Sequence, residues 1–293
     1  MTTKNQKSAY KFALISVLFW STVATALKVT LRYLDPIKIL LYSSLSSLII
    51  LSLIVWYQNK MSVALAHIKR NFFLVLLLGA INPFLYYLLL FEAYDILPAQ
   101  EAQAINYTWA LTFAYLGVVF LKQKLSKWDV LAGLICYFGV LIIATKGNPM
   151  SLEFSNVHGV MLALASTVVW SLYWIFNTKT EVDAVVGLFA NFLISVVLIV
   201  CYIMLTGGVA VPAWQGVLGS IHLGIFEMGV TFVLWLKAVK LTENISTISN
   251  LIFLSPFLSL IFIYLFVGEE IRVSTVVALF FIISGLLIQQ KMK

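Results

Sequence analysis

One carboxylate stands in the middle of a long apolar run: Glu227, in His222-Leu223-Gly224-Ile225-Phe226-Glu227-Met228-Gly229. An ionisable side chain in hydrocarbon costs about 2.5–3.5 kcal/mol on insertion scales, so it faces a cavity or a partner. A carboxylate there can bind a cationic group. It can also carry a proton, because desolvation favours the neutral acid. The bland alternative is a glutamate hydrogen-bonded between helices. Glu101 lies one turn inside another apolar run and is a second proton-coupling candidate. His222 is a third, although five residues from Glu227 puts it on a different helical face. A lone polar core histidine explains it as well.

Aromatic and amide groups fall near these positions. Trp20, Trp109, Trp170, Trp174 and Tyr86 all lie inside apolar runs, and Trp170 and Trp174 share a helical face at i,i+4. Such rings could stack an aromatic solute or hold a cation over their faces, or simply pack. Asn82, Asn106 and Asn250 could bind solute or other helices. Pro83 and Pro256 fall within runs, where proline removes a backbone hydrogen bond and bends a helix; both are hinge candidates. Catalysis is not expected. The histidines His67, His158 and His222 are scattered, with no His-Glu-x-x-His set for zinc. The two cysteines, Cys136 and Cys201, fall in apolar segments and suggest neither a disulfide nor a metal. No cofactor is expected. No filter-like repeat or ring of like charge is visible; a passive channel or facilitator, or a membrane-embedded enzyme, is the alternative to a carrier.

The elements that carry these groups must be membrane spans. Of 293 residues, 62% are hydrophobic and 11% charged, against about 25% charged in soluble domains. A span needs about 20 apolar residues, and ten are predicted: 11–31, 36–57, 72–93, 97–120, 127–145, 157–178, 183–205, 215–238, 244–267 and 273–290. The N-terminal lysines followed by Ala24-Thr25-Ala26 resemble a signal peptide, but the run is long enough to span and has a later counterpart, so it reads as a retained helix. With the N-terminus inside, only Arg32, Lys38, Lys146 and Arg272 of the 19 Lys and Arg face outward. Lys28 lies within a span, and the remaining fourteen (19 − 4 − 1) face inward. That bias predicts cytoplasmic termini and an even number of spans. It also accounts for the net charge of +7 without nucleic acid.

The chain repeats itself. Trp20-Ser21 matches Trp170-Ser171 at an offset of 150. Gly79, Asn82 and Ala93 match Gly224, Glu227 and Ala238 at 145; Ala132 and Gly139 match Ala278 and Gly285 at 146. The predicted repeats are 1–147 and 148–293. Five spans per copy is an odd number, so the second copy enters the membrane inverted. Inverted repeats mark secondary transporters, with a solute site near the midplane at the repeat interface. The expected architecture is all-α, ten spans in two inverted five-helix repeats. The expected partners are a small solute and the lipid bilayer. Small residues near 132–139 and 278–285 also permit a homodimer.

Several segments resemble the EamA-type branch of the drug/metabolite transporter superfamily. They are Phe19-Trp20-Ser21, Trp170-Ser171, Ala238-Val239-Lys240-Leu241-Thr242, Leu254-Ser255-Pro256-Phe257 and Gly268-Glu269-Glu270. The likeness covers nearly the whole chain. The first copy departs from the pattern: Trp109-Ala110-Leu111 stands where a proline is common, and Lys122-Gln123-Lys124 replaces the Gly-Glu-Glu end. The resemblance implies ten helices and movement of small organic solutes. It often means export of amino acids or drugs from a bacterial cytoplasm across the inner membrane.

Overall fold

The computed structural model describes residues 5–122, 126–150, 154–177, 180–206, 212–242, 248 and 250–291. Every regular element among them is helical. Among the described residues, eight helices are long and apolar enough to cross a membrane. They are α1 (Gln6–Thr30), α2 (Pro36–Tyr57), α4 (Phe72–Ile96), α5 (Ala99–Leu121), α6 (Lys127–Ala144), α7 (Val157–Asn177), α8 (Ala184–Thr206) and α9 (Trp214–Val239). Two shorter apolar helices follow, α10 (Leu251–Val267) and α11 (Val273–Gln289). They fall where the ninth and tenth spans are predicted. The start predicted for α10 lies largely outside the described residues.

Between α2 and α4 runs α3 (Met61–Arg70), which the sequence reading leaves unassigned. It is too short to span. Ala64 is buried, Val63 and Leu65 are exposed, and His67, Lys69 and Arg70 form its last turn. Basic residues there complement the helix dipole.

The helices gather into two compact units, residues 1–75 with 182–268, and residues 76–181 with 269–293. Each unit therefore draws on both halves of the sequence. In the first, α1 packs on α9 and α10, while α2 packs on α8 and α9. In the second, α7 packs on α4 and α5, while α6 packs on α11. The sequence offsets equate α1 with α7, α9 with α4 and α10 with α5. Under that equation the packing of α1 on α9 and α10 repeats that of α7 on α4 and α5.

The α6–α11 contact shows how small residues set a helix spacing. A Cβ on Gly139 would sit 2.8 Å from the Ala278 carbonyl, and one on Gly285 would sit 2.8 Å from the Ala132 carbonyl. The two helices therefore run antiparallel. The contact is also reciprocal, because 132 matches 278 and 139 matches 285. Residue i meeting j while j′ meets i′ is what a two-fold relation produces.

Candidate functional site

Within each unit, one helix is broken at matching positions. In α4 the turn widens to a π-helix at Ala80–Leu85. Proline disfavours the α conformation in the residue before it, and Asn82 accordingly takes φ −145°, ψ 126°. In α9 the π turn is Gly224–Gly229. No proline is involved. Gly229 carries the break at φ −110°, ψ −91°, and Thr231 donates its hydroxyl to the Phe226 carbonyl five residues back. Single π turns inside α-helices concentrate at functional sites. Asn82 and Glu227 thus ride on equivalent breaks.

In the second unit the Asn82 break adjoins an aromatic cluster. Tyr86, one turn beyond Asn82, lies 4.5 Å from Trp170 between ring centroids. Trp170 meets Tyr173 and Trp174 at 5.7 Å each and Trp109 at 6.3 Å. Among the buried polar atoms of this unit that have no hydrogen-bond partner among the described residues are Asn82 Oδ1, Gln103 Oε1 and Trp174 Nε1. Asn82 is 3% exposed and Gln103 6%. Leaving such groups unmatched costs about 1–3 kcal/mol each. Asn106, by contrast, is used in packing, its amide donating to Ser166 Oγ at 3.1 Å.

The first unit is aromatic too. Trp20 lies 5.3 Å from Trp235 and 5.8 Å from Phe232. Glu227 is half-buried. His222 lies 4.8 Å from Phe226 within α9, and its Nε2 is 3.4 Å from the Thr22 hydroxyl. The second contact joins α9 to α1. Pro256 sits in the first turn of an α-helical stretch (Ser255–Phe262) that follows a 3-10 turn at Asn250–Leu254. Its missing N–H is without cost there. The Asn250 side chain lies outside the described residues. The Trp-Ser serines have matching tasks: Ser21 Oγ is 3.3 Å from Ser255 Oγ in α10, and Ser171 Oγ donates to the Trp109 carbonyl in α5 at 3.1 Å. The α5 helix is itself interrupted, at Tyr107–Thr108, without a proline.

Glu101 has a different setting. It is fully buried at the start of α5, and both carboxylate oxygens are engaged. Arg272 Nη1 lies 2.5 Å from Oε1, and Ser155 Oγ donates to Oε2 at 2.5 Å. Its neighbour Gln100 accepts from the Arg272 N–H and the Thr275 hydroxyl at 3.2 and 2.6 Å. The Glu269 carboxylate accepts from the Ala99 N–H at 2.9 Å. The sequence reading singles out neither Gln100 nor Trp235. Trp235 shares no motif with Trp20, and Gln100 acquires its role only when distant loops meet.

The profile of the EamA-like transporter family matches twice, at residues 7–145 and 157–289. An uncharacterized transporter of Clostridium kluyveri is 28% identical over 62% of this chain and 60% of its own length. The uncharacterized transporter YoaV of Bacillus subtilis is 24% identical over 93% of this chain and 94% of its own. One crystal structure superposes with a TM-score of 0.69 at 20% identity, covering 97% of both chains. At that identity it speaks for the fold alone.

Proposed function

The chain belongs to the EamA-like transporter family and is a multi-pass membrane transporter; from that premise we propose a ten-span carrier built from inverted repeats 1–147 and 148–293. It exports a small organic solute, an amino acid, amine or related metabolite, across the bacterial cytoplasmic membrane by alternating access, with both termini inside. The observation that carries this reading is the pair of equivalent breaks at Asn82 and Glu227. Interrupted spans are where carriers bind solute, because the freed backbone groups line a cavity. The double family match, the matching packing plans and the antiparallel α6–α11 contact support the repeats. In this reading Asn82, Tyr86, Trp170 and Trp174 are the solute-contact candidates of the second unit, and Glu227 and Trp20 are those of the first.

A thermal-shift screen of amino acids, amines and nucleobases finds the solute, since a ligand that binds only the folded state raises the melting temperature. Proteoliposomes then test the mechanism. Saturable counterflow is expected of a carrier and not of a channel. Glu227→Gln is expected to abolish transport or its pH dependence while preserving the melting temperature. Unchanged flux in that variant would remove Glu227 from the mechanism.

A further inference from the structure

A cavity of about 670 Å³ opens where α6 ends and α11 begins. Phe138, Ile142, Val273 and Val277 give it an apolar wall, and Lys146 and Arg272 supply its charge. The loop leaving α6 is reversed by two consecutive left-handed residues, Lys146 (φ 55°) and Gly147 (φ 93°). A Cβ on Gly147 would sit 2.9 Å from Ser274 Cβ, so only glycine lets the loop close against α11. The result holds Lys146 on the same cavity as Arg272. Lys146 is exposed and has no acidic partner among the described residues. Arg272 spends one nitrogen on Glu101 and stays 39% exposed.

We propose that this cavity binds an anionic phospholipid, its phosphate between Lys146 and Arg272 and its first methylenes against Phe138 and Val277. Three observations select this occupant. On the proposed ten-span reading the cavity lies at the ends of two spans, α6 and α11, the level at which lipid phosphates sit. Its apolar wall continues inward: Phe138 is six residues, or about 9 Å of helix, below Ala144. Phe138, Val273 and Val277 are also exposed side chains on membrane helices, facing what a lipid would fill. A second copy of the chain fits worse. A two-fold contact brings each patch against itself, so Lys146 and Arg272 would meet like charges.

The test uses the purified full chain in a neutral detergent, titrated with phosphatidylglycerol, phosphatidylcholine or inorganic phosphate. Melting temperature and native mass spectrometry are the readouts. Phosphatidylglycerol is expected to bind and raise the melting temperature, with phosphatidylcholine and inorganic phosphate giving neither effect. Lys146→Asn removes the cation and suits the left-handed backbone. It is expected to weaken phosphatidylglycerol binding about fivefold, the worth of one basic residue near an anionic surface. Val277→Trp fills the apolar part without touching a charge, and is expected to lose the lipid-induced shift. Equal responses to phosphatidylcholine, or a phosphatidylglycerol response that survives both variants, would overturn the proposal. A shift reproduced by inorganic phosphate would overturn the lipid and leave a free-anion site.

Discussion

Breaking the Glu101–Arg272 pair from either side gives unequal losses, and the structure predicts which is larger. Glu101 is fully buried, whereas the Arg272 side chain is 39% exposed. Arg272→Gln leaves a carboxylate out of water with the Ser155 hydroxyl as its remaining donor among the described residues. Orphaning a buried charge costs about 3–5 kcal/mol, and solvent access at Arg272 places this pair at the lower end, about 3 kcal/mol. Glu101→Gln leaves an amide that still accepts from Ser155, and a guanidinium that turns to water. Its loss is about 1.5 kcal/mol, the lower end of the worth of a hydrogen bond to a charged group, because Arg272 reaches water. The double variant should be less damaged than Arg272→Gln alone, because it carries no orphan carboxylate. Denaturant unfolding in detergent micelles, followed by helical circular dichroism, measures all three. Equal losses from the two single variants would refute the reasoning. So would a Glu101→Gln protein of unchanged stability and altered pH dependence of transport, which would make Glu101 a coupling group after all.

Gly139→Leu and Gly285→Leu should each destabilise by about 1–3 kcal/mol through overpacking, and by similar amounts, because the α6–α11 contact is reciprocal; unlike effects in the same unfolding assay would deny the two-fold relation. Asp183 predicts an acid effect. Burial pushes its carboxyl upward, but the Lys60 hydrogen bond and charge, with the Val185 and Val186 N–H groups, more than offset this and leave it below the usual range. The contribution is therefore complete above the unfolded value of about 3.9 and fades as pH falls through the lower folded value. Lys60 and Asp183 are 34% and 29% exposed, so screening holds the pair to about 0.5–1 kcal/mol. Melting curves between pH 7 and pH 3 should show that loss, and Asp183→Asn should remove it.

The spans were legible because the bilayer leaves little choice: backbone polar groups must be satisfied within a helix, and long apolar runs announce themselves. Predicted and observed limits differ by a few residues at most helices; where both limits fall among the described residues the largest difference is at α1, which begins at Gln6 rather than 11. The α3 helix was illegible because ten residues of mixed character resemble a loop as much as a helix. The proline at position 83 pointed to the break in α4. Nothing comparable pointed to α9, where two glycines do the same work, or to α5, which breaks without either. Glu101 was visible as an acidic residue in an apolar run. Its partners were not, because Ser155 and Arg272 lie 54 and 171 residues away, and only the closed fold brings them together.

The two breaks differ in charge, and their surroundings account for the difference. Asn82 is 3% exposed, whereas Glu227 is half-buried. A neutral amide tolerates the drier position, where an ionised carboxyl would lose hydration that nothing in the second unit is seen to replace. The backbone follows the same division. Asn82 is held out of the helix by the proline behind it, a restriction built into the pyrrolidine ring. The α9 break rests on glycine, whose backbone can enter or leave the helical region with little steric cost. A repeat that began with one sequence could therefore diverge into a fixed, neutral break and an adaptable, ionisable one. If the proposed carrier couples to protons, the second break is where that chemistry is expected, because a group that must gain and lose a charge needs a setting in which both forms are tolerated.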